Sequence, residues 1–280
     1  MTKLKTLDDI EVGGKKVLMR VDLNVPMKNG KVTSDARLRQ VIPTITEILE
    51  KGAGVVLASH MGRPKGQRVP DLSLYPLIEK LRTHLPGVNI IFAPDVMGSA
   101  VKTVADALVP GQILFLENLR FEPGEEANDP KMAANLAALA DIYVGDAFSC
   151  AHRAHASVQA ITQFLPSVAG RLMERETGVL SQAFDAPKMP LGAVIGGSKI
   201  SSKLGTLENL VTKVQYLFVG GAMANTFLIA QGRNVGTSFF EAQMTEVVND
   251  ILVEASKRGC EVIIPKDVVV AKALEPNIET

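Results

Sequence analysis

The stretch DAFSCAHRAHAS, from Asp146 to Ser157, gathers Cys150, His152, Arg153 and His155 in a short span. Three kinds of chemistry draw on such residues. Cysteine and histidine can ligate zinc, but the spacing C-x-H-x-x-H matches no common zinc signature, and an arginine between the histidines repels a cation. A Cys–His pair can act as nucleophile and base, but it needs a third group to orient the base and an oxyanion hole, and nothing in the sequence identifies either. Arginine offers a planar fork of donors suited to carboxylate and phosphate oxygens, so the third chemistry is the holding of an anion. On that reading Cys150 is a small buried residue beside the pocket.

The choice depends on which elements position these residues and what lies next to them. Short apolar runs alternate with helical patterns along the chain. KVLMRVDL (16–23), VVLAS (55–59), NIIFA (89–93), ILFLEN (113–118) and IYVGDAF (142–148) read as buried strands. Leu38, Ile42, Ile45 and Leu49 stand at helical spacing, and further helices are expected near 74–84, 98–108 and 130–140. This alternation predicts a parallel sheet covered by helices on both faces. At FLPSVAGRLMERETGVLSQAF the rhythm breaks, and a polar helix over about 172–184 reads as a connector. The pattern restarts with LGAVIGG (191–197), a helix from about 201, YLFVGG (216–221), a helix over 222–231, another near 241–258, and EVIIP (261–265).

The expected fold class is therefore α/β: two Rossmann-like, three-layer α/β/α domains with parallel sheets, joined by a connector helix. The expected boundaries are 1–171 for the first domain, 172–186 for the connector and 187–280 for the second. The second has fewer strand–helix units and ends at EPNIET without a closing helix, so it is expected to be incomplete.

In open parallel sheets, ligands bind beyond the carboxyl ends of the strands. Asp22 and Asn24 follow the first strand, and Arg37 lies near the next helix start. SHMGRPKG, with His60 and Arg63, follows the second. ENLRFEPGEE, with Arg120, follows the fourth, and His152, Arg153 and His155 follow the fifth. Each has an ordinary reading alone. Arg37 can be a solvated helix residue, Arg120 can pair with Glu122 or Glu125, and His60 can be a satisfied strand-end histidine. Together they favour a pocket for a small, multiply charged anion such as a phosphorylated acid.

Composition agrees with a local rather than a general positive site. Lys+Arg and Asp+Glu are equal at 30 each among 280 residues, so the basic surplus usual in nucleic-acid binders is missing. Two cysteines supply no disulfide framework, which fits a reducing cytosol. The N-terminus has no secretory pattern and no apolar run reaches membrane-spanning length, so a soluble cytoplasmic protein is expected.

In the second unit, GGSKISSKL runs from a strand through a glycine turn to an expected helix. Gly196 and Gly197 let the backbone bend and expose N–H groups to phosphate. The stretch is not a Walker A loop. Lys199 and Lys203 are four apart, so on a helix they would share one face. Gly220 and Gly221 repeat the device and permit close approach of a flat ring such as a nucleobase.

These residues resemble one family throughout. RVDLNVP, SDARLR, SHMGRPKG, LENLRF-x-x-GEE, DAF-x-x-AHRAH, GGSKISSKL and GGAMANTF occur in the order and spacing of the phosphoglycerate kinases. The resemblance implies reversible phosphoryl transfer between ATP and 3-phosphoglycerate, giving ADP and 1,3-bisphosphoglycerate, with Mg2+. It implies acid binding by Asp22, Asn24, Arg37, His60, Arg63, Arg120 and Arg153, with His152 and His155 in the same basic patch. It implies nucleotide binding by Gly197, Lys199, Lys203, Gly220 and Gly221, with Arg37 and Lys199 as catalytic groups. A monomer, closing about the connector and binding neither nucleic acid nor membrane, is also implied.

The family's GPxGxFE and GGGDT stretches do not occur in this sequence. The expectation is a partial chain, whose metal is held mainly through nucleotide phosphates because the family's metal-site aspartate is missing. Two other classes fit parts of the pattern: a non-catalytic chain that binds only the acid, and a lyase using Lys199 as a Schiff base. A Rossmann oxidoreductase fits worse, since G-x-G-x-x-G does not follow the first strand.

Overall fold

The computed structural model describes residues 4–28, 30–185, 187–273, 275–276 and 278. Ala186, expected to end the connector, and Asn277, Glu279 and Thr280 of the EPNIET terminus lie outside the described residues. The chain divides into two compact units, Met1–Val179 and Leu180–Thr280.

In chain order the first unit contains β1 (Lys16–Val21), a hairpin of β2 (Met27–Lys28) and β3 (Lys31–Val32), α1 (Ala36–Glu50) and β4 (Gly54–Ala58). Then come α2 (Ile78–His84), β5 (Asn89–Phe92), α3 (Ser99–Asp106), β6 (Gln112–Phe115), α4 (Pro123–Glu126), α5 (Pro130–Ala137), β7 (Ile142–Asp146) and β8 (Ser167–Ala169). Helix α6 (Arg171–Asp185) runs across the division between the units. The main sheet has the order β5-β6-β4-β1-β7-β8 and every pairing is parallel.

Alternation along the strands builds two cores. Val17, Met19 and Val21 of β1, with Val55 and Leu57 of β4, pack on one face beside Leu38, Ile45 and Leu81 from α1 and α2. Leu18, Val56, Leu114 and Tyr143 pack on the other, beside Val101 and Ala105 of α3 and Met132 and Leu136 of α5. The central strands are buried on both faces, which is why they read as continuous apolar runs. Arg20 breaks the run and yet is only 1% exposed.

The sequence pattern missed β8. Its three residues stand between Pro166 and Gly170, and two punctuating residues so close together read as a loop. Gly170 is required by close approach rather than by its own dihedrals. A Cβ there would sit 2.4 Å from Cγ of Asp146. Asp146 in turn accepts from the Thr44 hydroxyl (2.7 Å) and the Met173 N–H (2.9 Å), so a buried carboxylate at the end of β7 caps the start of α6. Burial pushes its pKa up against these hydrogen bonds. Arg171, the first residue of α6, reaches Glu47, Asp8 and Glu174 and fixes the same helix end.

The second unit contains β9 (Gly192–Gly196), α7 (Leu204–Val211), β10 (Tyr216–Gly220), α8 (Met223–Ala230), α9 (Thr245–Arg258) and β11 (Glu261–Ile263). Its parallel sheet has the order β11-β10-β9. Ile195, Leu217 and Val219 face one core, shared with Leu207, Phe227, Val248 and Ile251 of the three helices. On the opposite face Val194, Tyr216 and Phe218 are exposed among the described residues. No helix among the described residues is long and apolar enough to cross a membrane.

Candidate active site

Strands β6, β4, β1 and β7 are neighbours in the first sheet, so the segments that leave their carboxyl ends emerge side by side. Those four segments carry Arg120; His60 and Arg63; Asp22 and Asn24; and His152, Arg153 and His155. Adjacency of strands that are distant in sequence is what assembles the cluster.

Small polar side chains lock the segments together. The Ser59 hydroxyl accepts from the Leu23 N–H and donates to the Val21 carbonyl, both at 2.9 Å. Asn24 Oδ1 accepts from the Gly62 N–H at 3.0 Å. The Asn118 amide is fully buried and makes four bonds. Oδ1 accepts from Met61 N and Arg120 N at 3.1 Å each, while Nδ2 donates to Met61 O at 2.8 Å and Leu72 O at 2.9 Å. Arg120 Nη1 donates to Gly62 O at 2.6 Å. The loop bearing His60 and Arg63 is thus held from both sides.

Beneath the loops lies a buried ionic layer. Arg20 Nε donates to the Ser157 hydroxyl at 3.0 Å, Nη1 donates to the Val21 carbonyl, and Nη2 lies 3.3 Å from His60 Nδ1. Glu125, fully buried, accepts from Ser157 N (3.0 Å) and Ser157 Oγ (2.6 Å), and lies 3.9 Å from Arg20 Nη2 and 3.7 Å from His155 Nδ1. Burial raises the Glu125 pKa, but His155, Arg20 and Ser157 outweigh it and hold the carboxyl below its usual range. Burial and the neighbouring Arg20, with smaller contributions from Arg120 and Arg153, depress His60 to about 3 against the opposing pull of Asp22. His60 is therefore neutral near pH 7. Because Arg20 can only donate, His60 Nδ1 is the acceptor and Nε2 carries the proton.

The ion pairs decide which cations remain available. Arg37 Nη1 donates to Asp22 Oδ2 at 2.6 Å, and the Ser149 hydroxyl donates to the same oxygen. Burial opposes ionisation of Asp22, yet the Ser149 and Asn24 hydrogen bonds, His60 and Arg37 leave its pKa lowered. Arg37 is exposed and lines a cavity of about 180 Å³ with Asp22, Gln40, Ser149 and Glu176. Arg120 Nε pairs with Glu126 at 3.2 Å, not with the Glu122 or Glu125 suggested by spacing, because Glu125 faces inward to Ser157. Arg63 is exposed and Arg153 half-buried, and neither has a carboxylate partner among the described residues. His152 is exposed, while His155 is 8% exposed with an Nδ1 that lacks a hydrogen-bond partner. Cys150 is buried.

In the second unit the glycine turns after β9 and β10 touch. Gly221 has φ +68°, and a Cβ on it would stand 2.8 Å from Gly197 O. The Met223 N–H donates to that same carbonyl at 2.9 Å. The expected helix across Lys199 and Lys203 is corrected: α7 begins only at Leu204, so the two lysines do not share a helical face. Residues before Lys203 form a turn because the Glu241 carboxylate takes the N–H groups of Ile200 and Ser201. Lys199 is exposed, and Lys203 Nζ donates to Gly196 O at 2.9 Å.

A family model for phosphoglycerate kinase matches residues 7–280. The chain belongs to the phosphoglycerate kinase family. A phosphoglycerate kinase of Ruegeria sp. (strain TM1040) is 54% identical over 275 residues, covering 98% of this chain and 69% of that protein. The phosphoglycerate kinase of Zymomonas mobilis subsp. mobilis (strain ATCC 31821 / ZM4 / CP4) is 50% identical over 98% of this chain and 69% of its own length. The structure of phosphoglycerate kinase from Coxiella burnetii superposes with a TM-score of 0.85 at 38% identity, covering 99% of this chain and 70% of that one. Within this member of the phosphoglycerate kinase family, sequence reasoning did not single out Arg20, Asn118, Glu125 or Glu241 as site residues. Arg20 alone left a signal, a charge inside an otherwise apolar strand. A buried polar network has no periodicity to reveal the other three.

Proposed function

We propose that this chain takes part in reversible transfer of a phosphoryl group between ATP and the carboxylate of 3-phosphoglycerate, giving ADP and 1,3-bisphosphoglycerate. The observation that carries the reading is the strand-end cluster of the first unit. Arg63 and Arg153 have no carboxylate partner there, above an ionic layer that is already neutralised internally. Two guanidinium groups without counter-charge suit an anion with both a phosphate and a carboxylate.

Asp22, Asn24, Arg37, His60, Arg63, Arg120 and Arg153 are the proposed acid-binding residues, with His152 and His155 in the surrounding patch. His60, neutral with Nε2 protonated, would donate one hydrogen bond without adding charge. Arg37 would neutralise charge on the acid side when it leaves Asp22. On the nucleotide side, a side chain on Gly221 would strike the Gly197 backbone, whereas Gly220 borders open space, so the bare turns form a cradle that fits a flat base or a phosphate. Gly197, Gly220 and Gly221 would line it, Lys203 would hold phosphate, and Lys199 would meet the transferred group. ATP bound there supplies the phosphoryl group. Phosphoryl transfer asks for alignment and charge neutralisation more than for covalent help.

Among the described residues no cluster of three or more His, Cys, Asp or Glu forms a metal site. The proposed Mg2+ would be held mainly through nucleotide phosphates. The proposed division of labour is acid binding by 1–171, a hinge at 172–186 and nucleotide binding by 187–280, in a cytoplasmic monomer.

Calorimetric titration of the chain with 3-phosphoglycerate tests the reading. Saturable binding is expected, weakened about 10- to 100-fold by Arg153→Ala, the loss typical of charge-assisted hydrogen bonds. Folded protein that binds no 3-phosphoglycerate would overturn it. A coupled assay with Mg-ATP then separates a catalytic chain from one that only holds the acid.

A further inference from the structure

The sequence offers the N–H groups after Gly197 to phosphate, but the structure has spent two of them. Glu241, only 5% exposed, directs Oε2 at the N–H groups of Ile200 and Ser201 and accepts from the Ser201 hydroxyl through Oε1 at 2.6 Å. A carboxylate thus sits where a helix-start phosphate was expected. The Ile200 side chain is fully buried in the core of the second unit, which anchors the turn from within.

Glu241 is itself fixed. Its N–H donates to the hydroxyl of Thr226 at 3.1 Å, and Thr226 is fully buried on α8. The preceding segment is held by the Asn225 side-chain amide, which donates to Phe239 O at 2.9 Å. Helix α8 starts just beyond the second glycine turn, so it links both turns to Glu241. Lys199 is bracketed as a result. On its N-terminal side Gly197 O accepts from Met223 N, and on its C-terminal side Ile200 N is held by Glu241 while Ile200 O accepts from Lys203 N at 2.8 Å.

We propose that Glu241 is a positioning residue for Lys199: its buried carboxylate holds the 197–203 turn in the shape that projects the Lys199 ammonium toward nucleotide phosphate. The assignment rests on the nucleotide reading of the second unit. With the Ile200 and Ser201 N–H groups committed, phosphate at this turn depends more on side-chain ammonium, and the direction of Lys199 becomes the controlling variable. The Ser201 hydroxyl, the two N–H groups and the nearby Lys199 also hold the Glu241 pKa below the usual carboxylate value, against burial. The carboxylate is therefore ionised and fully accepting near neutral pH.

The test is a double-mutant cycle on the full 280-residue chain, reading Mg-ATP affinity by calorimetry with a thermal melt as a folding control. Lys199→Ala and Glu241→Ala are each expected to weaken binding about tenfold, near the loss of one charge-assisted hydrogen bond. The double variant is expected to bind no more weakly than Lys199→Ala, because Glu241 acts through that lysine. Glu241→Gln keeps an acceptor for the two N–H groups and is expected to stay within about threefold of the unmodified chain. Full additivity in the double variant, or a loss for Glu241→Gln as large as for Glu241→Ala, would overturn the positioning role while leaving the nucleotide reading intact. Folded, unmodified chain that fails to bind Mg-ATP would overturn the nucleotide reading itself, and the role of Glu241 with it.

Discussion

The first unit sets a buried cation beneath its more exposed arginines, whereas the second displays its lysine on a turn held by a buried carboxylate. Arg20 is 1% exposed and answered by Glu125, with Ser157, His60 and Asn118 fixing the loops above it. Lys199 is exposed, and what fixes it is the backbone beneath, held by Glu241. Guanidinium groups set over a fixed ionic layer suit a small ligand of fixed shape. Ammonium groups on flexible stems suit a phosphate chain whose charge shifts during reaction. The comparison also locates the shared burden: in the first unit a buried ion pair lies under the loops, and in the second a buried carboxylate lies under an exposed lysine.

The largest expected effect follows from that buried ion pair. Glu125→Ala would leave Arg20 buried without counter-charge and cost about 3–5 kcal/mol. Urea unfolding reads it, and a loss under about 1 kcal/mol would mean that water reaches Arg20 and that the charge is not truly internal. Gly170→Ala comes next. Its Cβ meets buried Asp146 Cγ at 2.4 Å, so Asp146 or the start of α6 must move, with an expected cost of about 1–3 kcal/mol in the same measurement.

The pH dependence of the first unit sharpens the contrast further. His60 is held near 3 in the folded protein, against a usual value of about 6.5, so the unfolded chain takes up the proton first. Its contribution to stability is fully present above pH 6.5 and drains as the pH falls toward 3. The urea midpoint is expected to fall between pH 6.5 and 5, where carboxylates remain mostly ionised, and His60→Asn is expected to flatten that slope. The smallest effect belongs to the second unit. Lys199→Ala should change the melting free energy by no more than about 0.5 kcal/mol, since an exposed lysine on a pinned backbone carries no packing. A larger loss would erase the distinction between the units.

The parallel strands of the first sheet were legible because burial on both faces writes continuous apolar runs, and the order of those strands is what brings the residues after them to one edge. Boundaries ran long: IYVGDAF stops pairing at Asp146, whose carboxylate turns to cap α6. The helix expected from about residue 201 was displaced by Glu241, a residue 40 positions away from Ser201, and no local propensity reports such a competitor. Arg120 was read against Glu122 and Glu125 on spacing alone. Its partner Glu126 is selected by which face of the short α4 turns inward. Side-chain amides such as Asn118 leave no pattern, because one residue satisfying four backbone groups looks like any other asparagine.

The Arg20–Ser157 hydrogen bond spans 137 residues of chain, and the cation belongs to a central strand of the sheet. During synthesis at about 5–20 residues per second, Arg20 waits roughly 7 to 27 seconds for that partner to be made. Until then the buried Nε of β1's Arg20 has no hydroxyl to donate to, even after its counter-charge Glu125 has been made. Satisfying the centre of the sheet therefore depends on chain that is synthesised long after the strand that carries the cation.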